Sequence, residues 1–285
     1  MRLVIGTANF GMKYGFLRSS TCLSQKSIDE ILEYAYFVGI RCIDTARLYG
    51  ESEKAIGQYL RNHPDQQWDV ITKITATKDG VLVDAHRSAD QLGCWPKTIL
   101  AHNPEDYSRR EFCEALHDLK QRTSIKQVGV SVYSSADIEL ATSVISPDVV
   151  QLPLNILDRR LLQDGTLDYQ NSLGTELHAR SIFLKGLLQQ EPETLTQFFP
   201  ALAPAIQALE NESKRFGLTI GEMSLTWVYS LSQVAKVVVG VESIQQLMHC
   251  VRKAASNDCL RDYVMRMNLP EIDETLLDPS KWPEI

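Results

Sequence analysis

The sequence predicts a single-domain (β/α)8 TIM barrel spanning residues 1–285, and three observations lead to that fold class. Eight short apolar, β-branched runs recur along the chain, as buried parallel strands do. Amphipathic stretches of helical period separate most of them, and no long linker interrupts the alternation. A doubly wound sheet is the competing fold, but the strand count and the lack of a G-x-G-x-x-G stretch after any strand weigh against it.

The eight short runs are the strand candidates. In chain order they are RLVIGT, RCIDT, DVITKI, KTILAH, IKQVGVS, DVVQLP, TELHAR and AKVVVGV. The stretch SQKSIDEILEYAYFVG places its apolar residues on one face and ends at Gly39, and Ser27 with Glu30 predicts a capping box at its start. SRREFCEALHDLKQ and SADIELATSVIS show the same helical period. The order predicts one βα unit after another.

Composition and charge exclude several function classes. The 285 residues carry a formal net charge of −7 and contain no run of Lys and Arg, so no nucleic-acid partner is expected. The six cysteines lack zinc-ligand spacing and indicate reduced thiols, so we expect no metal site and a cytoplasmic location. The first apolar run is too short for a secretory signal, and no stretch approaches the roughly 18 apolar residues of a membrane span, so no membrane association is expected.

Polar residues end successive strand candidates at regular intervals. Four of them are each 29 residues apart, and two more follow after 20 and 29 residues; in chain order they are Asp44, Lys73, His102, Ser131, Gln151 and Arg180. This spacing fits a βα unit of roughly 30 residues, and the C-terminal rim of such a barrel carries its chemistry. The 60-residue gap from Arg180 to Gly240 leaves room for an extra loop, which residues 187–203 are expected to supply.

Asp44, Tyr49, Lys73 and His102 form a set with a coherent proton-transfer chemistry. A phenol has an ordinary pKa of about 10, and a neighbouring ammonium lowers it because the ammonium favours the phenolate. Lys73 is expected to do this for Tyr49, and Asp44 is expected to pair with the buried ammonium. His102 is expected to donate a hydrogen bond to a carbonyl oxygen beside Tyr49. Together the four would move a proton at that oxygen while another group moves a hydride.

At these residues the sequence resembles the aldo-keto reductase family. IDTARLYGESEKAIG is similar to the family signature, and its catalytic Asp, Tyr, Lys and His match Asp44, Tyr49, Lys73 and His102. GTANFG, GVSVY, VVQLPLN, RSIFLKGLL and VVVGVESIQQL follow in the family's order, so the resemblance covers the chain to about residue 255. It implies a barrel enzyme, monomeric by family default. Its implied reaction is NAD(P)H-dependent reduction of a small aldehyde, ketone or keto-sugar, or the reverse oxidation, with Tyr49 as general acid or base.

The resemblance also implies which residues bind the cofactor. Ser131 and Gln151 match residues that hydrogen-bond the nicotinamide carboxamide, and Arg180 stands where the family has an aromatic ring stacked on the nicotinamide. Residues 181–186 match the loop along the pyrophosphate, and residues 240–246 match the segment at the adenosine phosphate. The full implied set is Gly6, Thr7, Asp44, Ser131, Gln151, Arg180, Ser181, Phe183, Lys185, Gly186, Gly240, Glu242, Ser243 and Gln246.

Three departures from the family pattern bear on the cofactor, one of them Cys250, which aligns with an Asn near the adenine. Glu242 aligns with the Lys or Arg that usually pairs with the 2′-phosphate of NADP, and a carboxylate there would repel that phosphate. Val132 replaces an Asn that usually contacts the carboxamide. Both NADP(H) and NAD(H) therefore stay open as the cofactor.

Other interpretations of the same residues stay open from sequence. The barrel is alternatively a cofactor-binding regulatory protein with little turnover, or a lyase or aldolase that forms a Schiff base on Lys73. Ser243 is alternatively the N-cap of the last helix of the barrel, since SIQQ is a capping-box pattern, and Lys185 a solvated lysine. The sequence variant is similar to bacterial members associated with sugar or polysaccharide metabolism, which implies a keto-sugar or nucleotide-linked sugar as substrate.

Overall fold

Eight parallel strands close into a barrel in chain order, which confirms the predicted fold class. The computed structural model describes residues 1–15, 22–279 and 281–282. The predicted single domain, 1–285, also includes residues 16–21, 280 and 283–285, which lie outside the described part of the chain. The strands are β1 Leu3–Gly6, β2 Cys42–Asp44, β3 Asp69–Ile74, β4 Thr98–Ala101, β5 Gln127–Ser131, β6 Val149–Pro153, β7 Glu176–Arg180 and β8 Lys236–Gly240. Strand β1 pairs with both β2 and β8, which closes the sheet.

Helices surround the barrel, and most follow a strand. They are α1 Ala8–Gly11, α2 Gln25–Phe37, α3 Ser52–Asn62, α4 Val81–Leu92, α5 Pro104–Tyr107, α6 Arg110–Arg122, α7 Ser135–Thr142, α8 Arg160–Gln163, α9 Thr166–Ser172, α10 Pro192–Phe198, α11 Ala203–Arg215, α12 Ile220–Ser230, α13 Ile244–Lys253, α14 Asp258–Arg266 and α15 Glu274–Leu277. Residues 187–203, expected as an extra loop, are largely helical. They contain α10 and, on either side of it, the 3-10 turns Leu187–Gln189 and Pro200–Leu202.

Helix α2 begins one turn earlier than the sequence pattern predicts. Ser24 is its N-cap, and the Ser24 hydroxyl accepts a hydrogen bond from the backbone N–H of Ser27 at 3.2 Å. The predicted capping box of Ser27 and Glu30 is therefore wrong. A backbone bond from Leu23 to Asn9 O holds the chain just before Ser24, so the helix starts there and gains an additional turn of backbone bonds.

The barrel interior and the shell between strands and helices form two separate apolar clusters. The interior cluster consists of Val4, Cys42, Ile71, Leu100, Val149 and Val238, one side chain from each of six strands. Neighbouring residues on the same strands, such as Ile5, Ile43 and Val70, face the helices because side chains alternate along a strand. The apolar interior fills the lower barrel, so the polar strand ends that follow lie at the carboxyl rim.

Candidate active site

A cavity of about 540 Å³ opens at the carboxyl ends of the strands, and it collects nearly all of the predicted site residues. The predicted residues that line it are Gly6, Thr7, Asp44, Tyr49, Lys73, His102, Ser131, Gln151, Arg180, Ser181, Phe183, Lys185, Gly186, Gly240, Glu242 and Gln246. Ser243 is the one predicted site residue that does not line it.

A buried ion pair forms the floor of this cavity. Lys73 on β3 is 1% exposed, and its Nζ donates to Asp44 Oδ2 at 2.6 Å and to the Thr45 carbonyl at 3.0 Å. The other carboxylate oxygen of Asp44 accepts from Gln151 Nε2 at 2.7 Å. Burial lowers the pKa of Lys73, and the carboxylate of Asp44 opposes that shift. The pair is thus neutral overall, and each partner has a further hydrogen bond besides the one between them, the condition under which a buried charge pair is tolerated.

Tyr49 lies on the turn between β2 and α3, with its ring half-buried at the cavity. The imidazole of His102 meets the ring edge-on, with centroids 5.8 Å apart, and Lys73 Nζ lies 5.3 Å from the ring centroid. Burial and then the negative charge of Asp44 raise the pKa of the Tyr49 phenol, and the Arg180 guanidinium opposes the rise. The phenol is therefore protonated at neutral pH.

Two cations bear on Tyr49, and the effect of Lys73 on the pKa of its phenol that the sequence suggests stays a prediction. Lys73 is close to the Tyr49 ring, but its charge is compensated by Asp44, whose own charge raises the pKa of the phenol. Arg180 is the cation that lowers the pKa of Tyr49 in this arrangement. Sequence spacing does not reveal this effect of Arg180, because it does not show how the charges at the rim are arranged around the phenol.

His102 follows β4 and is neutral at physiological pH. Burial, followed by the positive charge of Lys73, lowers the pKa of His102 to about 4. Its Nδ1 atom is buried and has no hydrogen-bond partner among the described residues. A neutral imidazole carries one N–H, which it can donate to a carbonyl oxygen beside Tyr49.

The Tyr49 turn is anchored to β3 by Glu53, which the sequence pattern did not single out. Glu53 is 1% exposed; its Oε1 accepts from the Thr72 hydroxyl at 2.6 Å, and its Oε2 accepts from Arg47 Nη1 at 2.9 Å. Arg47 also donates its backbone N–H to the Lys73 carbonyl at 2.9 Å. One buried carboxylate thus links the segment that carries Tyr49 to the strand that carries Lys73.

Helix α1 approaches the same turn so closely that only glycine fits at the contact. A Cβ on Gly11 would lie 1.9 Å from the Tyr49 carbonyl oxygen. A Cβ on Gly50 would lie 2.3 Å from the Gly11 carbonyl oxygen, and Gly50 has a φ of +55°. The two glycines therefore allow α1 to pack directly on the Tyr49 backbone, which adds to the anchoring by Glu53.

Arg180 ends β7 at the inner part of the cavity. Its Nη1 donates to Ser181 Oγ at 3.1 Å, its Nη2 donates to the Val132 carbonyl at 2.9 Å, and its guanidinium lies 4.2 Å from the Tyr133 ring centroid. Tyr133, Tyr14 and Asn9 also line the cavity, and sequence reasoning missed all three. The weak signal available for Tyr133 was its place two residues after Ser131.

The loop after β7 has an unusual backbone along the cavity. Ser181, Leu184 and Lys185 have φ values of 58°, 46° and 58°, in the left-handed region that side chains other than glycine rarely occupy. Asn155 Nδ2 donates to the Ser181 carbonyl at 3.1 Å, and Ser224 Oγ donates to the Ile182 carbonyl at 2.8 Å. These bonds hold a strained loop in place, as is typical where a backbone is shaped for a ligand.

The outer end of the cavity is formed by the start of α13. Ser243 is the N-cap of this helix, and its Oγ accepts from the Gln246 N–H at 3.3 Å. Gln246 Oε1 in turn accepts from the Glu242 N–H at 2.8 Å. The Thr7 hydroxyl also forms a hydrogen bond within the protein, since it donates to the Asp44 carbonyl at 2.9 Å. The capping role predicted for Ser243 is therefore confirmed, and its direct cofactor contact stays a prediction.

Two buried acceptors in the cavity have no donor among the described residues. Gln151 donates through Nε2 to Asp44, which leaves its buried Oε1 without a partner among the described residues. Asn9 donates through Nδ2 to the Val241 carbonyl at 2.6 Å and leaves its Oδ1 in the same state. Because buried acceptors are rarely left unpaired, an incoming N–H donor such as a carboxamide fits this floor.

The described residues contain no group of His, Cys, Asp and Glu that could hold a metal ion. Across residues 1–15, 22–279 and 281–282, no helix has both the length and the apolar character needed to cross a membrane.

Sequence comparison finds one matching family and related proteins. The model of the aldo/keto reductase family matches residues 2–267. An aldo-keto reductase of Strobilurus tenacellus is 24% identical over 255 residues, which cover 79% of this chain and 76% of that protein. D-arabinose 1-dehydrogenase of Saccharomyces cerevisiae is 30% identical over 122 residues, which cover 37% of this chain and 36% of that protein.

Solved structures share the fold. The holo form of an aldo-keto reductase from Bacillus halodurans aligns with a TM-score of 0.75 at 20% identity, covering 97% of this chain and 95% of that one. A glycerol dehydrogenase from Gluconobacter oxydans aligns with a TM-score of 0.69 at 20% identity, covering 93% and 90% of the two chains. At this level of identity the likeness concerns the barrel alone.

Proposed function

Since the chain belongs to the aldo/keto reductase family, and is therefore an NAD(P)-dependent oxidoreductase acting on carbonyls, we propose that it reduces a small aldehyde, ketone or keto-sugar with Tyr49 as proton donor. The observation that carries the proposal is the meeting of a protonated phenol and a neutral imidazole, Tyr49 and His102, above the buried ion pair of Lys73 and Asp44. The reverse oxidation would use the same groups.

The chain's own residues account for the proton. Tyr49 keeps its proton at neutral pH because burial raises its pKa, so it can donate that proton to the carbonyl oxygen. His102 donates a second hydrogen bond to the same oxygen and orients the carbonyl. The ion pair of Lys73 and Asp44 holds β2 and β3 together beneath the oxygen and supplies a fixed, preorganised polar floor.

The cofactor residues expected from sequence fit a nicotinamide dinucleotide. When bound, the nicotinamide supplies the hydride that carbonyl reduction requires. Ser131 and the unpartnered Oε1 of Gln151, which are neighbours across β5 and β6, would hold its carboxamide. The loop of residues 181–186 would hold the pyrophosphate, and the segment of residues 240–246 would hold the adenosine end.

We propose that NAD(H) binds at least as tightly as NADP(H). Glu242 lines the outer end of the cavity, and its carboxylate would repel a 2′-phosphate while it could accept a hydrogen bond from a ribose hydroxyl. Two similar proteins, a D-arabinose 1-dehydrogenase and a glycerol dehydrogenase, have names that support a hydroxylated substrate such as a keto-sugar. A monomeric state, a cytoplasmic location and the absence of nucleic-acid and membrane partners belong to the same proposal.

Two measurements separate this proposal from its rivals. Steady-state oxidation of NADH and NADPH should be detected with members of a panel of aldehydes, ketones and keto-sugars; cofactor binding without turnover of any of them would favour a regulatory barrel. Borohydride treatment with each carbonyl compound should leave no adduct on Lys73, because its ammonium is bound to Asp44. A trapped adduct on Lys73 would favour the lyase or aldolase reaction.

A further inference from the structure

The loop after β7 presents three consecutive backbone N–H groups without an acceptor. The N–H groups of Ser181, Ile182 and Phe183 donate to none of the described residues, and all three residues line the cavity. Ser181 has a φ of 58°, in the left-handed region. Successive N–H groups in a turn of this kind form a concavity that binds anions, because their partial positive charges converge. The loop therefore has the backbone form of an anion site.

Two buried side chains hold the carbonyl oxygens of the same loop. Asn155 Nδ2 donates to the Ser181 carbonyl at 3.1 Å, and Ser224 Oγ donates to the Ile182 carbonyl at 2.8 Å. Asn155 and Ser224 are both 0% exposed, and neither lines the cavity. The two carbonyls are thus bound by groups that lie behind the loop as seen from the cavity.

These two bonds determine the direction of two of the N–H groups. The described chain has no cis peptide bond, and in a trans peptide unit the carbonyl and the N–H of the next residue point to opposite sides of the chain. The bond to the Ser181 carbonyl therefore turns the Ile182 N–H away from Asn155. In the same way, the bond to the Ile182 carbonyl turns the Phe183 N–H away from Ser224. Both N–H groups are left on the side of the cavity.

Asn155 and Ser224 are themselves fixed by backbone groups of the segment after β6. Asn155 Oδ1 accepts from the N–H groups of Leu157 and Asp158, each at 3.0 Å. Ser224 Oγ accepts from the Ile156 N–H at 3.1 Å. Because each side chain has a partner of its own on that segment, each presents its donor to the loop in a fixed direction.

We propose that Asn155 and Ser224 are positioning residues for dinucleotide binding, which hold the loop of residues 181–186 with its N–H groups towards the pyrophosphate of the cofactor. The inference rests on the proposed function and adds two residues that touch neither cofactor nor substrate. Since the loop already has this shape, binding of the pyrophosphate does not have to offset the cost of turning the two peptide units.

Ser224→Ala removes one of the two donors, and Ser230→Ala is its matched control. Ser230 lies on the same helix, α12, and its Oγ also forms two bonds: it donates to the Thr226 carbonyl and accepts from the Asn257 N–H, each at 2.7 Å. Ser230 is 6% exposed and does not line the cavity. Both substitutions should lower the midpoint of urea denaturation, because each removes a buried hydroxyl that has two partners. In fluorescence titration, Ser224→Ala should raise the dissociation constant for NADH at least about fivefold and Ser230→Ala by less than about twofold.

Asn155→Ser tests the other donor without a change of charge. A serine hydroxyl can accept from the N–H groups of the same turn, so the segment after β6 keeps its shape, but its side chain is shorter and loses the bond to the Ser181 carbonyl. We expect the dissociation constant for NADH to rise at least about fivefold here too. The double variant Asn155→Ser with Ser224→Ala should bind NADH more weakly than either single variant.

ADP-ribose assigns the effect to the pyrophosphate, because it carries the pyrophosphate and no nicotinamide. Measured by competition with NADH, its affinity should fall in Ser224→Ala and Asn155→Ser by the same factor as that of NADH, within about twofold. Steady-state kinetics should show a raised KM for NADH, while kcat at saturating NADH falls by no more than about twofold. An ADP-ribose affinity that stays at the wild-type value, or equal effects of Ser224→Ala and Ser230→Ala on NADH, would overturn the positioning role. A wild type that binds NADH and ADP-ribose but reduces no carbonyl compound would contradict the proposed reaction instead, since the comparison of variants depends on binding alone.

Discussion

The ammonium of Lys73 lies 2.6 Å from the carboxylate of Asp44, and the two side chains are 1% and 5% exposed. This ion pair joins two neighbouring strands directly below the proposed reaction site. A buried pair tolerates the loss of both charges better than the loss of one, because a single remaining charge has no partner and little water. The pair therefore links the stability of the barrel to its chemistry.

Lys73→Met should remove activity and also destabilise the protein. It leaves the Asp44 carboxylate buried with Gln151 as its one side-chain partner among the described residues, and we expect a loss of about 3–5 kcal/mol in the free energy of unfolding, measured by urea denaturation. Asp44→Asn with Lys73→Met should cost less than the sum of the single changes. Additive costs in this double-mutant cycle would show that the pair does not act as a unit.

Glu53→Gln should test the anchor of the Tyr49 turn. The substitution weakens the bonds to Thr72 and Arg47 inside the protein, so we expect a loss of about 1–3 kcal/mol in the free energy of unfolding, together with reduced turnover. Glu51→Gln, two residues earlier, is the matched control. It removes an exposed pair with Lys54 at 3.0 Å and should change the free energy of unfolding by less than about 0.5 kcal/mol. Equal effects of the two changes would contradict the anchoring role.

His102 should stay neutral across the physiological range. Its folded pKa of about 4 lies below the ordinary value of about 6.5, so the unfolded chain takes up this proton first as pH falls. The contribution of His102 to stability is therefore complete above about pH 6.5 and is lost as pH falls from there to about 4. NMR titration of the ring protons, assigned by comparison with His102→Gln, should show no inflection between about pH 5.5 and 8. A midpoint near 6.5 would contradict the neutral donor.

Glu242 should determine the relative affinities of the protein for NADH and NADPH. Fluorescence titration should show that NADH binds at least as tightly as NADPH. Glu242→Gln should strengthen NADPH binding by about fivefold to tenfold, with little effect on NADH, because one repulsive charge is removed. Glu271→Gln makes the same change of charge at an exposed position that does not line the cavity and should leave both affinities unchanged. A strong preference of the wild type for NADPH would contradict this role.

The barrel fold and the main site residues can be predicted from the sequence for a physical reason. Parallel strands covered on both faces are apolar throughout, so a Lys or Asp at a strand end is conspicuous, and the regular length of a βα unit places Asp44, Lys73 and His102 at one level. The residue at which a helix begins is less well defined by the sequence. Ser24 and Ser27 are both acceptable caps, and the tertiary bond from Leu23 to Asn9 selects the first.

The remaining features depend on contacts between residues distant in sequence. Glu53 accepts a hydrogen bond from Thr72, 19 residues away in sequence, and Arg180 stacks on Tyr133, 47 residues away. No local sequence pattern predicts either contact. Charge compensation is only partly visible in the sequence. The sequence predicts that Asp44 pairs with Lys73, as the structure has it, and only the structure shows that no described carboxylate pairs with Arg180 at the same rim.

The measurement that tests the account most directly is the turnover of Tyr49→Phe alongside its cofactor affinity. The substitution keeps the ring against His102 and removes only the hydroxyl, so the proton donor is lost while the cavity keeps its shape. We expect kcat for carbonyl reduction to fall by at least about a hundredfold, with the dissociation constant for NADH within about twofold of the wild type. A Tyr49→Phe protein with full activity would contradict the assignment of Tyr49 as the proton donor.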